Sequence, residues 1–217
     1  MNRTTRSLID QLVADARAVR RVSAPRWTVL LLVMTVTLIF AILIPKFGLR
    51  PDLAQALRRP LDFLGIVGLF FLASACLALA VRESLPGRRR SRGLVLTLRI
   101  GLAVAAVGLA AGFWGPQGLS DHWRIGSDAV GIKCAVLVIA LSVLPILGMM
   151  AALKKLAPMQ PAKAAALAGL AAAALAALGV GLHCPIDEPI HWLLWHLTPI
   201  AVFASLVGMI GARWLRW

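Results

Sequence analysis

Six runs of apolar residues alternate with short polar segments along the chain, at 27–44, 61–81, 94–114, 130–153, 164–182 and 190–212. Each reaches about 18 residues or more, enough for a helix to cross roughly 30 Å of hydrocarbon. The connecting segments carry turn residues: Phe47-Gly48 with Arg50-Pro51, Leu85-Pro86-Gly87, Gly115-Pro116, Pro158 with Pro161, and Pro185 with Pro189. Connections this short make consecutive helices antiparallel neighbours. The pattern predicts an all-α, polytopic membrane protein with six transmembrane helices over residues 27–217, preceded by a polar segment at 1–26. The first run starts too far in, is too long, and ends at Pro45-Lys46 without a small-residue cleavage site, so it is expected to be retained rather than removed as a signal peptide.

Composition supports the bilayer reading. The 217 residues are 60% hydrophobic and 15% charged, with a mean hydropathy of +0.84, whereas soluble domains run about 45–50% apolar and about 25% charged. The net charge of +14 changes the picture only through its placement. With the N-terminus inside, one side holds Arg3, Arg6, Arg17, Arg20, Arg21, Arg26, Arg82, Arg88, Arg89, Arg90, Arg92, Arg99, Lys154, Lys155, Lys163, Arg213 and Arg216. The other holds Lys46, Arg50, Arg58, Arg59, Arg124 and Lys133, a division of 17 against 6. The positive-inside rule then makes both termini cytoplasmic and accounts for the charge without direct nucleic-acid binding. Small residues at four-residue steps in the fifth run (Ala165, Gly169, Ala173, Ala177, Gly181) and the Gly108/Gly112 pair in the third are the kind that let helix backbones approach closely in lipid.

The N-terminal segment has its own pattern. Leu8, Leu12, Ala16 and Val19 recur at helical spacing with Ile9 and Val13 beside them, Ser7 is placed to cap the helix, Asp10, Arg17 and Arg21 lie opposite, and Pro25 closes the segment. So short a helix is marginal alone in water and needs a partner for its apolar stripe. Anionic lipid at the inner leaflet and an apolar protein groove both meet that need.

Candidate chemistry gathers at the outer rim. Cys134 falls near the outer end of the fourth run and Cys184 just beyond the fifth, at similar depth, and a disulfide between them would need Cα atoms about 4.4–6.8 Å apart. Cys76, in the inner half of the second run, reads as a packing residue. His183, His191 and His196 surround Cys184 in sequence. Thiolate with imidazole suits Zn²⁺, Cu⁺ and competing soft heavy ions, so Cys134, Cys184, His183 and His196 are candidate ligands of a transient soft metal ion. The spacing matches no recognised zinc pattern, and His191 and His196, five apart, point to different faces of an α-helix. His196 stands out because it lies about two turns inside its run, where ionisable residues are functional candidates. His191 reads as a rim residue, His122 as surface, Trp192 and Trp195 as interfacial anchors, and Asp187 and Glu188 as solvated loop. No HExxH, CxxC, GxSxG or Walker sequence occurs, and no carboxylate pair sits within a run, so no enzyme activity is expected.

Several of these elements together resemble the NrsF family. They are the N-terminal Leu8-Ile9, Leu12, Asp15, Val19, Arg21-Val22 and Pro25, the loop Arg50-Pro51-Asp52-Leu53, the cysteine opening the fourth run, and Leu182-His183-Cys184-Pro185 leading to Trp195-His196. The resemblance implies a six-span anti-sigma factor of the bacterial inner membrane. It would sequester an extracytoplasmic-function sigma factor through Leu8, Ile9, Leu12, Asp15, Val19 and Arg21, and release it on heavy-metal or oxidative stress sensed near Cys134 and Cys184. A 26-residue head is too small to form a folded domain, so the basic loop 82–92 is expected to contribute to sigma binding. Two other classes compete. A small metal or solute permease would use the His/Cys rim for capture and would move labelled metal into vesicles, which a sensor does not. A membrane thiol oxidoreductase would need a second thiol pair or a quinone site, and Cys76 is the one cysteine left.

Overall fold

A computed structural model describes residues 3–15, 24–85, 91–113 and 128–216. All regular structure among them is helical. The elements are α1 (Arg3–Ala14), α2 (Ala24–Phe47), the short α3 (Leu53–Ala56), α4 (Pro60–Glu83), α5 (Arg92–Phe113), α6 (Asp128–Lys155), α7 (Pro161–Gly181) and α8 (Pro189–Trp214). Five of these, α2, α4, α6, α7 and α8, are long and apolar enough to cross a membrane. The third apolar run forms α5, 22 residues long. The helices overrun the apolar runs by a few residues at most ends, because Pro at a first turn lacks only an N–H that is unpaired there anyway. Pro60, Pro161 and Pro189 open α4, α7 and α8 in this way. Pro25 likewise lies inside the first turn of α2 instead of closing the head. Similarly α1 begins before Ser7, which is therefore not its cap.

The core is organised around α7, whose inner positions are almost all buried, among them Ala164, Ala165, Ala168 and the run Ala171 to Ala174. It packs on α8, α4, α6 and α2. Four neighbours fit round one helix because most of its buried side chains are methyl groups or hydrogens, which lets backbones come together where lipid gives no hydrophobic drive. A Cβ on Gly169 would meet Val207, and one on Gly211 would meet the side chain of Ala165. The α4–α5 pair uses the same device at Gly68, which faces Ala105, and at Gly101, which faces Leu72. Cys76 is fully buried in this core.

At one end of the bundle, Lys163 Nζ at the start of α7 bonds Glu83 Oε1 at the end of α4 over 2.8 Å, and Lys154 lies over the Trp214 ring. The N-terminal ends of α6 and α8 and the C-terminal end of α7 meet at the other end, where the histidines and Cys134 and Cys184 lie.

Candidate functional site

The site is built from the first turns of α6 and the chain that reverses direction between α7 and α8. Cys134 sits two turns into α6. After Gly181 the backbone turns, with the Cys184 N–H bonding the Val180 carbonyl at 2.8 Å, which holds the Cys184 thiol beneath the loop. Sγ of Cys134 and Sγ of Cys184 are 3.7 Å apart, and both cysteines are free and buried. His191 Nε2 lies 3.4 Å from Cys184 Sγ. One ligand atom from each of Cys134, Cys184, His191 and His196 falls within 4.8 Å of all the others.

The second histidine arrives through a change of helix type. Residues Trp192–Leu197 of α8 form a π-helical stretch. Thr198 donates its backbone N–H to the Leu193 carbonyl, five residues back, and its Oγ1 bonds the same oxygen at 2.9 Å. Pro199 has no N–H for the Trp195 carbonyl four residues back, so the preceding turn is not held in α-helical register, which favours the wider winding. In a π-helix residues five apart lie one above the other, so His191 and His196 share a face, with ring centroids 5.4 Å apart. The expectation that they point apart holds for an α-helix and fails for this one. Both are fully buried, and both ring nitrogens of His196 and Nδ1 of His191 lack a hydrogen-bond partner among the described residues. Trp192 stacks on His196 at 4.4 Å, and the indole fits because Gly181 opposite it has no side chain.

His183 stands elsewhere. Its Nδ1 meets the Gly48 carbonyl at 3.1 Å and its ring packs on Phe47. The four-residue group therefore contains His191 where the sequence suggested His183.

Two of the six ligand-to-ligand separations in this group can be set against a tetrahedral metal centre, the whole group lying within 4.8 Å. Zn–S bonds of about 2.3 Å and Zn–N bonds of about 2.05 Å give S···S edges of about 3.8 Å and S···N edges of about 3.5 Å. The observed 3.7 and 3.4 Å match both, whereas a disulfide would require the sulfurs to close to about 2.05 Å. Hydrogen bonds from the Cys134 thiol and then from His191 hold the Cys184 thiol below its ordinary range, against burial, which raises it. Cys184 thus favours the thiolate that a soft cation needs.

A second polar cluster braces the loop. Arg50, with its side chain 4% exposed, bonds both carboxylate oxygens of Asp52 at 2.7 Å and both of Asp187, at 2.5 and 2.9 Å. Its backbone N–H also bonds the Leu182 carbonyl. Arg59 adds a bond to Asp187 at 2.7 Å. Hydrogen bonding to Arg50 holds Asp52 down from 3.8 to about 2. The Arg50 guanidinium is correspondingly raised by Asp52 and Asp187. Asp187 is thus a structural partner, not solvated loop. The sequence signal for it was the Arg50-Pro51-Asp52 loop, whose distant carboxylate no local pattern reveals.

Of the six residues expected to bind a sigma factor, Leu8, Ile9, Leu12 and Asp15 lie on or just after α1 and are exposed. Val19 and Arg21 fall outside the described residues, as do His122 and Arg88 to Arg90.

No curated protein and no solved structure matches the chain. The family described as NrsF, negative regulator of sigma F, matches residues 12–217, which includes Cys134, Cys184, His191 and His196 and the Arg50 loop. The chain belongs to the NrsF family of negative regulators of a sigma factor.

Proposed function

We infer that this regulator is a six-span anti-sigma factor of the bacterial inner membrane, with α5 as the third span and both termini in the cytoplasm. Its target is an extracytoplasmic-function sigma factor, sequestered by the apolar face of α1 together with Asp15, Val19 and Arg21. The 17-to-6 division of basic residues supports the orientation. Exposed Leu8, Ile9, Leu12 and Val13 on α1 support a docking helix, since this stripe is left without cover by the described residues.

Release follows capture of a soft metal ion by Cys134, Cys184, His191 and His196 on the outer side. The convergence of two buried thiols and two buried imidazoles within 4.8 Å, with one S···S separation of 3.7 Å and one S···N separation of 3.4 Å, is the observation that carries this reading. Binding displaces the thiol protons and draws α6 and the start of α8 towards the 182–188 loop. Oxidation acts on the same pair: two thiols give up two protons and two electrons to a disulfide or peroxide oxidant and form one S–S bond. Either event shifts α6 against α7, whose far ends join through the 155–161 segment.

The test is co-purification from the native host of the intact chain and of a chain lacking residues 1–22, with bound proteins identified by mass spectrometry. A sigma factor held by the intact chain and lost on truncation is expected. Equal recovery with both chains would move the binding surface off the head. The Cys134→Ser/Cys184→Ser double variant should still restrain the sigma factor while losing the response to metal, and a full response in that variant would refute thiol sensing.

A further inference from the structure

Beside the Cys/His cluster lies a half-enclosed cavity of about 150 Å³ between α4, α5 and the start of α8. Its walls are largely apolar, with Ile66, Leu69 and Leu197 among them, and its polar positions are Arg50, Asp62 and Asp187. A space of this size holds a ring about as large as benzene. We propose that it is a binding site for a small apolar ammonium compound, an aryl or cyclic alkyl amine, seated with its ring on Trp192 and Ile66 and its charged group towards Asp62.

Three observations select that chemistry. The first is charge. Two guanidiniums, Arg50 and Arg59, face three carboxylates, Asp52, Asp62 and Asp187, which leaves one negative charge in excess. Among the described residues that line the cavity Arg50 is the one cation, and it is engaged on both sides by carboxylates, so it does not await an anionic ligand. The second is Asp62 itself. Its Oδ2 is buried without a hydrogen-bond partner among the described residues, and Arg59 Nη1, at 3.6 Å, lies beyond hydrogen-bond distance. A buried carboxylate oxygen in that condition is costly, and an N–H donor relieves it. The third is the Trp192 indole on the cavity wall, an aromatic surface for the ring of the ligand while its ammonium reaches Asp62. Gly65, also on the wall, has open space where a Cβ would be, so the cavity persists there for want of a side chain and can be filled without a clash.

The site is separate from the thiol cluster but shares a wall with it, because Trp192 stacks on His196. An occupant pressing on Trp192 would therefore be felt by a metal ligand.

The test uses the full-length protein in lipid nanodiscs, with ligand-observed NMR of benzylammonium, toluene and benzoate against empty nanodiscs. Benzylammonium is expected to bind the protein above the empty-disc background and benzoate is not. Gly65→Leu should abolish binding of benzylammonium and toluene together. Asp62→Asn should weaken benzylammonium by about tenfold or more, the share of a charged hydrogen bond, and leave toluene unchanged. Benzylammonium binding Gly65→Leu as well as wild type, benzoate binding equally, or no signal above empty discs would each overturn the proposal. If Gly65→Leu lowers the melting temperature, the smaller Gly65→Val replaces it, and Asp62→Asn decides the charge preference independently.

Discussion

Single side chains carry most of the chemistry here, and two histidines separate the alternatives sharply. His191 belongs to the buried group and His183 to a contact with Gly48 and Phe47. His191→Ala or His196→Ala should therefore weaken Zn²⁺ or Cd²⁺ binding by at least about tenfold, a loss that even supporting groups around a metal produce, while His183→Ala leaves it near wild type. Cd–thiolate absorbance during titration reads this directly. Arg50 is the other decisive residue. Removing it by Arg50→Met leaves two partly exposed carboxylates without their shared cation and should cost about 1–3 kcal/mol of stability, seen as a lower melting temperature in detergent. Acid tests the same cluster. Asp52 sits at about 2 in the folded protein against an ordinary 3.8, so its contribution is complete above about pH 4 and is lost as pH falls towards 2. Melting temperature against pH should drop across that window, and Asp52→Asn should flatten the drop.

Helices show why some features were legible in the sequence and others were not. Continuous apolar runs announce the long helices to within a few residues, because burial in lipid leaves no amphipathic pattern to misread. Small residues at four-residue steps marked the packing face of α7 correctly, although in α5 the close approach falls on Gly101, while Gly108 lines the cavity. Gly211→Val should cost about 1–3 kcal/mol by forcing α8 away from Ala165, whereas Gly65→Ala, in open space, should be neutral or stabilising as a gain in helix propensity. Thermal melting of the two variants side by side makes the comparison. The convergence of His191 and His196 was not legible, because periodicity arguments assume 3.6 residues per turn and residues 192–197 of α8 abandon it. Deleting Leu194 should return the helix to regular winding with the two histidines four residues apart and still on one face, so metal binding should survive the deletion, read by Cd–thiolate absorbance.

Across the whole molecule, an exposed apolar helix at the N-terminus and a buried ligand group in the second half communicate, on the reading given above, only through the bundle between them. The Lys163–Glu83 pair ties α7 to α4 at the end far from the cysteines, so it is placed to register a shift of α7. Metal addition is expected to change the solvent exchange of backbone amides near residues 83 and 163 in the wild type and not in the Cys134→Ser/Cys184→Ser variant, by hydrogen–deuterium exchange. The order of parts along the chain has a consequence for synthesis. The head is made before the bundle, whereas Cys184, His191 and His196 follow more than 160 residues after α1. On the proposed reading, a product ending before residue 184 would hold its target with no means of letting go, so restraint would precede responsiveness and late truncation would give a permanently closed switch in place of a missing one.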